Sequence, residues 1–299
     1  MKPALIVFCR DKGGDVYRCV RSALAQDWPC EILLSDQYSE DNSVAEMHRA
    51  ADGYQGHHEV KFLCCPIEGK KSMAMANAHF NWACAQTNAD LLFPSPADDY
   101  NLPGRVRVCM DAMIVNRPAA VGVTMKFFDP RNPGLEMVSG EPKASGFVSA
   151  RDVVQKFIGG STAPAYTREF LHKVGGAGED WTPDVYLAYL AALDRGYYVV
   201  AQPSYVHVQS YDLENTGFEG KLRQANESGD QELVFRLSEL NRYQLAKLYM
   251  MTAKVAQDKY ALANQADKNA LIEMCLAQLW GWLEERKRLH VHGYAPGVM

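Results

Sequence analysis

Short apolar runs alternate with amphipathic helical stretches along the first 95 residues, and this alternation constrains the fold more than any other feature. The runs that predict strands are residues 5–8, 31–34, 60–64 and 91–93. The predicted helices begin near Asp15, Asn42 and Met73. In the first helix, the apolar residues that recur at helical spacing are Val16, Cys19, Val20, Ala23 and Leu24. This order predicts an α/β fold with a mostly parallel sheet flanked by helices.

Acidic residues follow two of the predicted strands. Asp36 comes after the second strand, and Asp98 and Asp99 come after the fourth. Ligands of parallel α/β sheets bind beyond the carboxyl ends of the strands. We therefore expect these carboxylates to line one crevice.

The pattern changes near residue 215. Residues 106–207 mix strand and helix patterns, whereas residues 231–290 carry two apolar stripes at helical spacing. We predict a main domain over residues 1–215 and a helical C-terminal extension over residues 216–299. The two predicted helices either pack on the main domain or join two subunits into a homo-oligomer.

Composition restricts the partners and the compartment. The net charge is -5 and no long Lys/Arg run is present, which argues against a nucleic-acid partner. No stretch approaches the roughly 20 apolar residues that cross a bilayer, and the N-terminal apolar run is too short for a signal peptide. The eight cysteines form no CxxC pair, as expected for free thiols in a reducing compartment. We therefore expect a cytoplasmic protein.

Four short phrases occur in a fixed order along the chain. They are SALAQ at residues 22–26, SDQYSEDNS at 35–43, PADD with LP at 96–103, and GG at 175–176 with RGY at 195–197. Together they resemble glycosyltransferase family 2 over roughly the first 210 residues. The resemblance implies a GT-A fold, which is Rossmann-like, and transfer of a sugar from a nucleotide-sugar donor, with a UDP-sugar favoured. It also implies inversion at the sugar carbon, and no motif identifies the acceptor.

The resemblance further implies a divalent cation, Mg²⁺ or Mn²⁺, that neutralises the leaving diphosphate. Asp98 matches the last acid of the family's D-x-D phrase, whereas the first acid of that phrase is Pro96 here. The cation is therefore expected on Asp98 with phosphate oxygens, and Asp99 and His207 are further candidate ligands. A solvated turn for the aspartates and a structural role for the histidine are the alternatives.

Several positions match the family's contacts to the nucleotide sugar. Asp36 matches the acid that binds the base, although an aspartate at a strand end also forms turns with its own backbone. The other candidates for the nucleotide sugar are Cys9, Arg10, Asp11, Lys70, Lys71, Asn77, Ala97 and Asp98. For Arg10 and the two lysines, an exposed surface position is the alternative.

The acceptor hydroxyl must lose a proton as it attacks, and a nearby carboxylate is the usual general base. By its position before the RGY phrase, Asp184 best matches the family's base, and Asp180 is the second candidate. Asp184 has an alternative role as the N-cap of the helix that follows it.

Two other function classes stay open. Pro96 and Pro183 stand where the family has acids, which motivates a nucleotide-sugar-binding protein without catalysis. A nucleotidyltransferase ranks third, because the loop after the first strand offers only Lys12-Gly13-Gly14 where that class has a longer glycine-rich loop.

Overall fold

The structure of the protein is a computed structural model. It describes residues 1–69, 72–130, 134, 136–139, 142–155, 158, 162–177, 183–208 and 229. Residues Met1–Val208 form one compact unit. The predicted domain boundary at residues 215 and 216, the C-terminal helices and the proposed subunit contact lie outside the described residues and stay predictions.

Within the described residues, the strands form one mixed sheet. The strands are β1 (Pro3–Cys9), β2 (Glu31–Asp36), β3 (Glu59–Cys64), β4 (Leu91–Pro96), β5 (Tyr100–Asn101), β6 (Ala120–Phe128), β7 (Glu136–Val138), β8 (Gly146–Val148), β9 (Thr162–Thr167) and β10 (Tyr197–Val208). Their order is β3-β2-β1-β4-β9-β6-β10-β5, with β7 beside β6 and β8 beside β10.

The two halves of the sheet differ in direction. Strands β3, β2, β1 and β4 run parallel to one another. In the second half, β9 runs antiparallel to both β4 and β6, while β6 and β10 are parallel. The predicted α/β fold with a sheet flanked by helices is confirmed. The parallel strands are those of the N-terminal half together with β6 and β10, and the antiparallel strands β5, β7, β8 and β9 make the whole sheet mixed.

Helices connect the strands and cover the sheet. They are α1 (Val16–Leu24), α2 (Ser43–Ala51), α3 (Met73–Ala85), α4 (Arg105–Asn116), α5 (Ala150–Gln155), α6 (Arg168–Val174) and α7 (Pro183–Leu193). The predicted apolar stripe of α1 is confirmed, because its buried residues are Val16, Cys19, Val20, Ala23 and Leu24. None of the described helices combines the length and the apolar character that a bilayer crossing requires.

The pairing of β1 with β2 and β4 brings three loops to one edge of the sheet. β1 lies between β2 and β4, and the register pairs Cys9 with Asp36 and Phe8 with Pro96. The main-chain NH of Ala97 also donates to the carbonyl of Phe8 at 3.2 Å. The loops that follow β1, β2 and β4 therefore start side by side at one edge of the sheet.

A reciprocal amide contact joins α3 to the turn after α6. The side-chain amide of Asn81 donates to the carbonyl of Ala177 at 2.9 Å, and the NH of Ala177 donates to Asn81 Oδ1 at 2.8 Å. The turn contains Gly175 and Gly176 with φ of 84° and 78°, in the left-handed region. A Cβ on Gly176 would come within 2.4 Å of Asn81 Oδ1, whereas a Cβ on Gly175 meets nothing within 4 Å.

These two glycines form a matched pair for a stability test. We expect Gly175→Ala to lower the free energy of unfolding by about 1 kcal/mol, the cost of a left-handed alanine. Gly176→Ala carries the same cost and also displaces Asn81, so we expect about 2 kcal/mol more, because each lost hydrogen bond contributes about 1 kcal/mol. Urea unfolding measures both variants. Equal losses would show that the Asn81 contact contributes nothing to stability.

Candidate nucleotide-sugar site

Side chains of the loop after β2 hold the loop after β1. Ser39 Oγ accepts from the NH of Asp11 at 2.9 Å, and Ser43 Oγ accepts from the NH of Lys12 at 2.7 Å. Asp41 Oδ2 accepts from the NH of Gly13 at 2.8 Å. Three side chains of the loop after β2 therefore hold the backbone of residues 11–13.

Asp36 is the last residue of β2 and closes a turn. Its Oδ2 accepts from the NH of Ser39 at 3.0 Å, and its Oδ1 accepts from Ser39 Oγ at 2.5 Å. This is the alternative that the sequence left open for a strand-end aspartate. A carboxylate has about four acceptor sites, so the turn leaves room for a further donor. Asp36 is largely buried, with 9% of its surface exposed.

Two guanidinium nitrogens of Arg10 are buried and unsatisfied. These atoms, Nε and Nη1, are inaccessible to solvent and have no hydrogen-bond partner. Unpaired donors in protein interiors are uncommon and costly. His79 of α3 lies nearby, bonded through Nε2 to Ser35 Oγ at 2.7 Å. Burial, and then the charge of Arg10, lower the pKa of His79 to about 4, so His79 is neutral at physiological pH.

Other predicted nucleotide contacts are placed less favourably. Cys9 belongs to the hydrophobic core, its carbonyl accepts from the NH of Gln37, and burial raises the pKa of its thiol to about 12. Asp11 has φ of 52° and accepts from the NH of Glu40 at 2.8 Å. Ala97 and Asn77 are buried. Cys9 and Ala97 therefore support the loops from the core and do not present side chains to a ligand.

Asp98 follows β4 and pairs with Lys12 from the loop after β1. Lys12 Nζ lies 2.6 Å from Asp98 Oδ2, and the two side chains are 19% and 28% exposed. The contact brings residues of two loops together across the end of β1. The ammonium of Lys12 therefore lies beside the carboxylate that we expect to bind the metal ion.

Asp99 makes different contacts, although it is adjacent in sequence. Its Oδ2 accepts from the hydroxyl of Tyr205 at 2.9 Å, and its Oδ1 accepts from the NH of Val208 at 2.9 Å. Nδ1 of His207 lies 3.1 Å from Oδ1. Asp99 is buried, so these contacts attach the end of β10 to the turn that carries Asp98.

A buried arginine supports this attachment. Arg105 is fully buried and bonds Asn101 Oδ1 at 2.5 Å and the carbonyls of Pro94 and Pro164 at 3.3 Å. Its guanidinium lies 4.5 Å from the ring centre of Tyr205. The Tyr205 ring thus packs on Arg105 while its hydroxyl donates to Asp99, and burial raises the pKa of Tyr205 well above its usual value.

The carboxylates at this edge of the sheet offer a divalent cation only part of its ligands. Among the described residues, no group of three or more His, Cys, Asp or Glu side chains is arranged to hold a metal. Mg²⁺ commonly binds through one or two carboxylates plus substrate phosphates, without a full protein cage. Asp98 fits that mode because it is partly exposed, whereas the oxygens of Asp99 already accept from Tyr205 and Val208.

Some predicted residues are outside this description. Lys70, Lys71 and Asp180 lie outside the described residues. Asp184 is the second residue of α7, and whether it faces Asp36 and Asp98 stays a prediction.

Sequence reasoning assigned no role at this site to two residues, Lys12 and Tyr38. Tyr38 is 51% exposed with φ of 51°, two residues after Asp36. Tyr38 lies inside the quoted phrase at residues 35–43, and Lys12 lies in the loop after the first strand, beside the candidates Cys9, Arg10 and Asp11. The signal that could have marked them as candidates is an aromatic ring or a lysine in an otherwise polar loop.

Comparison with known proteins identifies a family for part of the chain. Residues 4–136 match the family model described as glycosyl transferase family 2. No curated protein resembles the sequence closely enough to count as a match.

Solved structures share the fold at low identity. A fragment of S. aureus TarS, residues 1–349, has a TM-score of 0.61 at 13% identity, covering 94% of this chain and 72% of that one. Its complex with UDP-GlcNAc has a TM-score of 0.58 at 14% identity, covering 92% and 79%. The mannosyltransferase PcManGT from Pyrobaculum calidifontis, in complex with GDP-Man and Mn²⁺, has a TM-score of 0.52 at 17% identity, covering 94% and 87%.

The family match and the fold together identify the class of enzyme. At these identities the solved structures establish the fold alone, which is the GT-A fold that the motifs imply. The family match covers the segment that contains the loops after β1, β2 and β4. Residues 4–136 of this chain therefore form a glycosyl transferase family 2 segment, and the chain is a glycosyltransferase.

Proposed function

We propose that this chain transfers a sugar from a nucleotide-sugar donor, preferably a UDP-sugar, to an acceptor hydroxyl with inversion, and that it requires Mg²⁺ or Mn²⁺. The observation that carries the proposal is the arrangement around the end of β1. Asp36 and Asp98 follow the strands on its two sides, and the loop between them bears two cations, Arg10 and Lys12. This combination suits a ligand with a base and a diphosphate.

Arg10 and Asp36 would bind different parts of the donor. Arg10 has two guanidinium nitrogens without a hydrogen-bond partner, and a change of its side-chain position would bring them to the ligand. A guanidinium binds a phosphate through its fork of donors, and it stacks its planar face on a base. Asp36 accepts from a ring N–H of the base. The TarS complex with UDP-GlcNAc and the PcManGT complex with GDP-Man and Mn²⁺ support a nucleotide-sugar donor and a divalent cation on this fold.

A bound divalent cation would neutralise the charge that develops on the leaving diphosphate. Asp98 would hold it together with phosphate oxygens, and Asp99 would keep the turn in place through its contacts with β10. Asp184 would take the proton of the acceptor hydroxyl. The acceptor then attacks from the face opposite the diphosphate and inverts the sugar carbon.

The cysteines support a reducing compartment such as the cytoplasm. Among the described residues, all seven cysteines are free thiols, and six of them are buried. Disulfides are rare in the cytosol because thiol reductants keep cysteines reduced.

A thermal-shift panel tests the proposal. We expect one nucleotide sugar among UDP- and GDP-linked donors to raise the Tm, and a larger rise with Mn²⁺. A ligand at a hundred times its Kd adds about 2.7 kcal/mol to the stability of the protein. Release of the nucleoside diphosphate then measures turnover. If no donor raises the Tm in either condition, the proposed function is wrong.

A binding protein without catalysis is the second candidate. Pro96 motivates it, because it removes a carboxylate from the end of β4. This candidate predicts the same Tm shifts with no release of nucleoside diphosphate for any donor, with water or with saccharides as acceptor.

A further inference from the structure

We propose that Lys12 and a divalent cation compete for Asp98, and that the diphosphate of the donor ends the competition by taking up Lys12. The inference rests on the proposed function and deepens it. Lys12 would make cation binding depend on nucleotide binding, so that the cation binds tightly only together with the nucleotide.

The first observation is the contact itself. Lys12 Nζ is 2.6 Å from Asp98 Oδ2, and both side chains are largely shielded from solvent. A lysine ammonium is charged at neutral pH, so Lys12 neutralises Asp98 in this contact.

The second observation is that the neighbouring carboxylates are engaged. Asp99 accepts from Tyr205 and Val208, and Asp15 pairs with Arg18 at 3.1 Å. Of the two adjacent aspartates after β4, Asp98 is the one whose carboxylate a cation can reach by displacing a side chain alone, because Asp99 also accepts from a main-chain NH. Two cations on one carboxylate repel each other, so a metal ion that binds Asp98 has to displace Lys12.

The third observation is that the side chain of Lys12 can move while its backbone stays fixed. The NH of Lys12 donates to Ser43 Oγ, and its carbonyl accepts from the NH groups of Asp15 and Val16 at 2.9 Å. A lysine carries a compact charge on a flexible stem and binds phosphates as a point charge. When a diphosphate is present, the ammonium of Lys12 can therefore bind it in place of Asp98.

This arrangement couples the two ligands. The diphosphate removes Lys12 from Asp98 and adds oxygen ligands for the cation, so each ligand raises the affinity for the other. By thermodynamic linkage the two factors are equal. If Asp98 had no lysine partner, it would bind the cation even without a nucleotide.

The test measures Mn²⁺ binding by electron paramagnetic resonance, and UDP or GDP binding by calorimetry. In the wild type, we expect the nucleoside diphosphate to raise the Mn²⁺ affinity by about tenfold or more, within the usual range of coupling between sites. In Lys12→Met, Mn²⁺ alone should bind about tenfold more tightly than in the wild type, because its competitor is gone, and the coupling should shrink. The nucleotide should bind more weakly without Mn²⁺.

Two further variants control the result. Lys12→Gln removes the charge and keeps a hydrogen-bond donor for Asp98, so it should shift Mn²⁺ affinity in the same direction by less. Arg107→Met removes a cation from an exposed pair with Asp27 of the same 2.6 Å length, and it should leave both affinities unchanged. An Mn²⁺ affinity that is equal in wild type, Lys12→Met and Lys12→Gln overturns the inference while nucleotide binding upholds the proposed function. Failure of the wild type to bind UDP and GDP overturns both.

Discussion

Asp98→Asn is expected to lower kcat/KM by at least about a hundredfold, because it removes the carboxylate that the proposed cation uses while the leaving diphosphate still needs its charge neutralised. The substitution keeps the shape of the side chain and its position after β4. It also frees Lys12, whose ammonium can then neutralise part of the diphosphate. We therefore expect residual activity that no longer responds to Mn²⁺.

The measurement compares steady-state rates with and without Mn²⁺ in two variants. Asp27→Asn is the matched control, because Asp27 also forms an ion pair of 2.6 Å, with Arg107, and both side chains are about half exposed. Exposed ion pairs contribute little to stability, so Asp27→Asn should have near wild-type rates and Tm. If Asp98→Asn keeps wild-type rates and Mn²⁺ dependence, Asp98 does not hold the cation.

The periodic part of the fold was predictable because local patterns decide it. The stripe of α1 gave its buried face residue by residue, and the strand-helix alternation gave the parallel half of the sheet. The antiparallel β9 was not predictable, since its direction depends on neighbours β4 and β6, which are distant in sequence. Direction in a sheet is a property of topology, and a strand's own residues do not encode it.

The candidate site was predictable in position but only partly in roles. Asp36 and Asp98 lie at strand ends because carboxyl ends of parallel strands meet at one edge. Sequence treated Asp98 and Asp99 as one acidic pair, yet one pairs with Lys12 and the other with Tyr205. Their partners lie some 86 and 106 residues away in the chain, so the difference between them is a tertiary effect.

Asp184→Asn is expected to lower kcat by about a hundredfold to ten-thousandfold while donor binding stays intact, because a positioned general base contributes a factor of this size. Asp184 lies in the first turn of α7, directly after Pro183. The alternative role for an acid there is to stabilise the N-terminus of the helix, which contributes only about 0.3–1 kcal/mol. The two roles therefore predict different observables.

Rates, donor affinity and Tm of Asp184→Asn and Asp180→Asn separate these roles. If Asp184 is the base, its amide variant loses kcat, keeps the Tm shift with the donor, and unfolds near the wild-type temperature. If Asp184 only stabilises the helix, kcat stays near wild type and the Tm falls slightly. A large loss of kcat in Asp180→Asn alone would move the base to Asp180, because an amide at either position keeps the side-chain shape and removes only the ability to accept a proton.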